Sequence, residues 1–106
     1  MEKDTRIIID RIKPLFKQMS KTRYYLMVSN NTFGKKINFF FQTQRAYHRL
    51  KSTPLHTLDS YDLEHLETVV NELHKHYQFS IEFVGFKDMV WPLSQKVIQR
   101  NKNKYE

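Results

Sequence analysis

Hydrophobic and polar positions alternate most clearly between Thr22 and Gln42, TRYYLMVSNNTFGKKINFFFQ. Arg23–Ser29 and Lys36–Gln42 are rich in aromatic and long or branched apolar residues, as strands are. Asn30-Asn31-Thr32-Phe33-Gly34 between them offers residues that tolerate positive φ. The pattern predicts an antiparallel β-hairpin. Successive side chains of a strand point to opposite faces, so Tyr24, Leu26 and Val28 share one face with Ile37, Phe39 and Phe41. That face is apolar throughout and is assigned to the core. The other face carries Tyr25, Met27, Ser29, Asn38, Phe40 and Gln42 and is half polar. A helix, a partner chain or stacked nucleobases can cover such a face, and a helix or the rest of the fold is the commonest cover.

Helical spacing flanks the hairpin. Ile8, Ile12, Leu15, Phe16 and Met19 fall on one stripe of a helix over residues 3–20. Pro14 interrupts it, because proline has no N–H to donate and its ring crowds the carbonyl of Asp10. Either the helix kinks there, or it ends and a second begins. Its polar side holds Lys3, Arg6, Arg11, Lys13 and Lys17. Thr43–Lys51, TQRAYHRLK, reads as a short basic helix capped by Thr43, with Ala46, Tyr47 and Leu50 as its apolar stripe. Pro54 and small polar residues then break regular structure over Ser52–Asp59.

The strongest helical pattern covers residues 60–77, capped by Asp59 or Ser60, with Leu63, Leu66, Val69, Val70, Leu73 and Tyr77 as its buried stripe. Asp62 and Glu64 at its start and Lys75 and His76 at its end suit the helix dipole. Glu64, Glu67 and Glu72 are expected on its exposed side. Phe79–Val84 alternates as a third strand, ended by Gly85. Asp88–Leu93 opens a last helix with Pro92 in its first turn, where proline is tolerated, and Leu93, Val97 and Ile98 can pack. Lys96, Arg100, Lys102 and Lys104 then form a basic, frayed end. These elements predict one α+β domain over residues 1–106: an N-terminal helix, and an antiparallel hairpin plus a third strand packed against two or three helices, in the order α-β-β-α-α-β-α.

Composition sharpens the class of protein. There is no cysteine, hence no disulfide framework and no thiolate site. No apolar run approaches the roughly 20 residues of a membrane span, and MEKDTRIIIDRIKP has too short an apolar stretch for a signal peptide, so a cytoplasmic protein with no membrane partner is expected. Forty-three residues are Phe, Tyr, Met, Ile, Asn or Lys, against twelve Gly, Ala, Arg or Pro. That bias towards AT-rich codons suits a low-GC bacterium, a phage or a mobile element.

The net charge of +7 favours polyanionic partners, and it is unevenly spread. Residues 1–51 hold twelve Lys and Arg against three acids, whereas residues 52–86 hold one Lys against six acids.

Catalytic patterns are missing from the sequence. No nucleophile elbow or S-x-x-K is present, and with only Gly34 and Gly85 no phosphate-cradling loop of the usual form can be built. The five histidines lack metal-ligand spacing: His74 and His76 are two apart and do not share a helix face. Surface histidines, no cofactor, no metal and no enzymatic activity are expected. Trp91 reads first as a packing residue and second as an interface anchor.

The basic, aromatic N-terminal half therefore points to a small nucleic-acid-binding protein recognising DNA or RNA mainly by backbone and shape. Arg11, Lys13, Lys17, Lys21, Arg23, Lys35, Lys36, Arg45, His48, Arg49 and Lys51 are the candidate phosphate contacts. Tyr25, Phe33 and Phe40 are the stacking candidates, with the NNTFGKK tip as a possible wing entering a groove. The alternative is a protein-interaction module (adaptor, inhibitor, regulatory subunit or homodimer) acting through the hairpin face or the Trp91 region.

Overall fold

The hairpin is the centre of a four-stranded mixed sheet. β1 (Thr22–Asn31) and β2 (Lys36–Arg45) pair antiparallel without interruption from Thr22↔Arg45 to Asn31↔Lys36. β3 (Lys51–Thr57) lies antiparallel on the outer side of β2, and β4 (Ser80–Val84) lies parallel on the outer side of β1, giving the order β3-β2-β1-β4. With α1 (Lys3–Ile12) and α2 (Leu63–His76), the chain runs α1-β1-β2-β3-α2-β4. The computed structural model describes residues 2–17 and 19–99. Among them, no helix is long and apolar enough to cross a membrane.

The face assigned to the core is the core. Leu26, Val28, Ile37, Phe39 and Phe41 are buried, and Ile8, Ile12, Leu66, Val69 and Leu73 of the helices close over them. Tyr24 is half-buried at the rim, where the rings of Phe16 and Phe41 meet it. Both helices lie on this one side. Among the described residues no helix covers Tyr25, Met27, Ser29, Asn38 and Phe40.

Three further expectations are corrected. Thr43–Lys51 is not a helix: Thr43–Arg45 continues β2 opposite Thr22–Tyr24, residues 46–50 form a loop, and β3 begins at Lys51. A three-residue stripe is too weak to compete with a ladder that already has a partner strand on offer. Pro54 does not abolish structure either. It sits on an edge strand, beside an irregularity between Phe39 and Phe40, where a missing donor is tolerated. The expected last helix is replaced by turns and one antiparallel bridge, Val90↔Val97. There Glu67 of α2 accepts from the Leu93 and Ser94 N–H groups at 2.8 and 3.1 Å, so a tertiary contact dictates the local path. Of the three residues expected to pack there, Ile98 is buried while Leu93 and Val97 are exposed. Arg100, Lys102 and Lys104 lie outside the described residues.

Smaller adjustments follow the same logic. Pro14 ends α1, whose last residue is Ile12, and the chain leaves through a turn rather than a second helix. α2 is capped by Asp62, whose carboxylate accepts from Glu64 N at 3.1 Å, rather than by Asp59 or Ser60. In the hairpin turn Lys35, not Gly34, takes positive φ (52°), while Asn31 Oδ1 accepts from Gly34 N at 3.1 Å.

Two of the three glutamates expected on the surface of α2 are used inside. Glu67 is buried and holds the 93–94 turn. Glu72 accepts from Thr5 Oγ1 at 2.6 Å and from the Glu2 N–H at 3.1 Å, fastening α1 to α2. The Thr5 hydrogen bond holds the Glu72 carboxyl below its ordinary pKa.

A buried cluster completes the fastening. Asp4 of α1 is 2% exposed, and its two oxygens meet His56 Nε2 of β3 at 2.6 Å and His65 Nε2 of α2 at 2.7 Å. Because an ionised carboxylate only accepts, each Nε2 carries the proton and donates. His56 and His65 are thus structural rather than surface residues, while His48, His74 and His76 are exposed as expected. Among the described residues no group of acids and histidines is arranged to hold a metal ion.

Gly85 ends β4 for a steric reason. Its φ is +86°, and a Cβ there would lie 2.5 Å from the Asn30 carbonyl oxygen. Asn30 Nδ2 in turn donates to the Gly85 carbonyl at 3.0 Å. Gly85→Ala is expected to lower stability by about 1–3 kcal/mol, since both the backbone conformation and the contact resist a side chain. Gly34→Ala, at a turn without positive φ and against a movable Asn31 side chain, is expected to change it much less. Paired thermal melts compare the two.

Candidate nucleic-acid interface

The antiparallel register divides most of the candidate residues between the two ends of the sheet. At one end stands the β1–β2 turn, with Phe33 fully exposed and Lys35 and Lys36 beside it. At the other end β1 begins, β2 ends and β3 begins, which brings together Lys21, Arg23, Arg45 and Lys51 through the pairings Thr22↔Arg45, Arg23↔Gln44 and Thr43↔Lys51. The 46–50 loop adds His48 and Arg49 to this second end. Lys17 approaches it too, following Phe16, whose ring meets Tyr24 edge-on at 4.9 Å. All of these side chains are exposed, and among the described residues none is paired with a carboxylate.

The 46–50 loop is built to hold its shape. Ala46 N–H donates to the Lys21 carbonyl at 3.0 Å and His48 N–H to the Arg45 carbonyl at 3.0 Å. The Gln44 side chain donates to the His48 carbonyl at 2.7 Å. Tyr47 takes φ 67°, reverses the chain and points its ring wholly into solvent. Helical spacing assigns Tyr47 to an apolar stripe and so conceals it as a site residue. The signal available was the run of Arg45, His48 and Arg49 around an aromatic, which suits a loop as well as a helix.

Tyr25 and Phe40 lie on the sheet face that no described helix covers, and both are half-buried. Arg23 places its guanidinium carbon 4.8 Å from the centroid of the Tyr25 ring, a cation–π contact that presents positive charge on an aromatic platform. Gln42, directly opposite Tyr25, is buried, and its Oε1 has no hydrogen-bond partner while its Nε2 reaches the Met27 sulfur at 3.8 Å. Glu82, opposite Met27, is the exposed acid of this face.

No family model, characterised protein or solved structure matches this chain.

Arg11 and Lys13 stand apart from both ends. Arg11 Nη1 donates to the Leu55 carbonyl, tying α1 to β3, and Lys13 lies 3.8 Å from Asp10 in an exposed i,i+3 pair. Lys13 sits on the helix layer, whereas Arg11 borders a hollow at the β3 edge that it shares with Asn38, Phe40 and Pro54. Trp91 packs its ring edge-on against Phe83 at 5.4 Å and is half-buried, in the packing role.

Proposed function

We propose that this protein binds nucleic acid, DNA or RNA, chiefly through the phosphate backbone, and that the sheet end around the 46–50 loop is its principal contact. The observation that carries the reading is the convergence of Lys21, Arg23, Arg45 and Lys51 at one end of the sheet, beside the loop that carries Arg49 and the fully exposed Tyr47. Residues from three strands meet there, free of carboxylate partners among the described residues. Cations so placed release counterions on meeting phosphates, and an exposed aromatic adds stacking that tolerates any base. The acids of α2 lie on the opposite layer or face inward, so they do not oppose an approaching polyanion.

Fluorescence anisotropy with labelled single-stranded DNA, duplex DNA and RNA, at low and near-physiological salt, tests the reading. Arg45→Glu with Arg49→Glu is expected to weaken binding by at least about tenfold and to flatten the salt dependence by about 2 in the log–log slope. Lys13→Glu, on the helix layer, is expected to leave binding nearly unchanged. Unaltered affinity in the double variant removes this surface. Absence of binding at near-physiological salt turns attention to a protein partner or a second copy on the Tyr25, Met27 and Phe40 face.

A further inference from the structure

We infer that the contact has two points, and that its partner is a double helix of B-form DNA reached once at the 46–50 loop and again, one helical turn away, at the β1–β2 turn. The inference rests on the nucleic-acid reading above and specifies its ligand. Phe33 with Lys35 and Lys36, and Tyr47 with Arg45 and Arg49, stand at opposite ends of the same β2 strand. A ten-residue strand is about 33 Å long, and the molecule is 39 Å in its longest dimension. The two exposed aromatics and their cations are therefore held about 33 Å apart or slightly more by a hydrogen-bonded ladder, not by a flexible linker.

The surface between the two ends decides the kind of partner. Among the described residues, the strand positions of this face carry no cation between Arg23 at one end and Lys36 at the other: Met27, Ser29, Asn38 and Phe40 line it, with Gln42 buried between them and Glu82 at its edge. A flexible single strand crossing this face would lay several phosphates over neutral residues and one carboxylate. A stiff duplex need not follow the surface. Its groove and flanking phosphates turn back towards the protein once per helical turn, about 34–36 Å in B-DNA, which matches the distance between the ends. The backbone also stays rigid over such a length, since bending it smoothly is costly. The exposed Phe33 and Tyr47 then lie beside the same groove edge one turn apart, with Lys35 and Lys36 at one crossing and Arg23 and Arg49 at the other.

Duplex DNA of graded length, about 8, 12, 16 and 24 base pairs, measured by anisotropy at fixed near-physiological salt, tests this directly. Affinity is expected to rise by at least about tenfold between the shortest duplex and those exceeding one turn, and to level off afterwards. Lys35→Asp with Lys36→Glu is expected to remove that rise while leaving the shortest duplex bound as before; Asp is chosen at position 35 because it tolerates the positive φ there. Circular dichroism confirms that the variant is folded. A smooth dependence on length, or a tip variant without effect on long duplexes, overturns the two-point contact but leaves the loop surface standing. A greater step with duplex RNA, or tighter binding of single strands, overturns the B-form assignment. Failure of every nucleic acid to bind overturns the reading on which the inference rests.

Discussion

Asp4→Ala is expected to lower stability by about 3–5 kcal/mol, because a buried carboxylate with two imidazole donors is lost from the junction of three elements. Asp4 is the point at which α1, β3 and α2 meet: His56 and His65 come from positions 52 and 61 residues along the chain. Without the carboxylate, two half-buried Nε2–H donors lose their acceptor. Set against the 5–15 kcal/mol that a small domain commands, the loss is a large share of the total. Asp4→Asn keeps one acceptor oxygen and should cost less.

The same cluster gives the stability a defined acid limb. Burial by itself pushes the Asp4 pKa up, but hydrogen bonds from His56, His65 and the Asp59 amide outweigh it and hold the carboxyl below its ordinary value. A carboxyl whose pKa is depressed by folding contributes in full above its unfolded value, about 4, and the contribution disappears as pH falls through the folded value. Glu72 shifts in the same direction through Thr5 and adds to the same limb. Urea denaturation in steps from about pH 7 to pH 2 should show stability falling below about pH 4, with a shallower fall in Asp4→Asn. An unchanged acid limb in that variant would show that Asp4 does not carry the dependence.

Phe41→Ala is the second large effect, again about 3–5 kcal/mol. Phe41 lies on the central strand β2 and is 1% exposed. Its ring meets Tyr24 at 5.6 Å and Phe79 at 5.7 Å, and Phe16 meets both of those rings at 4.9 Å. Truncation therefore leaves a cavity at the point where the end of α1, the start of β1 and the approach to β4 are joined. Besides the global loss, the amides of β4, an edge strand of five residues, should exchange hydrogen faster than those of β2. Phe33→Ala is the matched control: the same residue type, fully exposed at the turn, should change stability by less than about 0.5 kcal/mol. Chemical denaturation of the two variants side by side separates burial from residue type.

Legibility of the sequence followed the range of the interactions. The hairpin, its core face and α2 were readable because each is written as a local period: two residues in Leu26, Val28 and Ile37, Phe39, Phe41, and the helical stripe of Leu66, Val69, Val70 and Leu73. The end of α1 was readable as one of two outcomes, since Pro14 acts on its own turn. The path of Thr43–Lys51 was not, because Thr43–Arg45 became strand only through pairing with Thr22–Tyr24. Nor was β3, whose proline is tolerated only because its strand falls at an edge, a property of the sheet and not of the segment.

The candidate site divides the same way. Sequence alone placed the positive charge in the first 51 residues and named the cations that line the two sheet ends. It could not sort them. Arg11 went to a backbone carbonyl of β3, while Lys21, Arg45 and Lys51, far apart in the chain, met at one end of the sheet. The Asp4, His56 and His65 cluster had no spacing to announce it, since its members belong to three elements brought together only by packing. What the sequence by itself determined, then, was which faces are apolar, where the central strand pair and the second helix run, and how much charge the first half carries. Only the tertiary structure decided which face both helices cover, which cations converge and which titratable groups are buried, because those depend on contacts between residues that no local period connects.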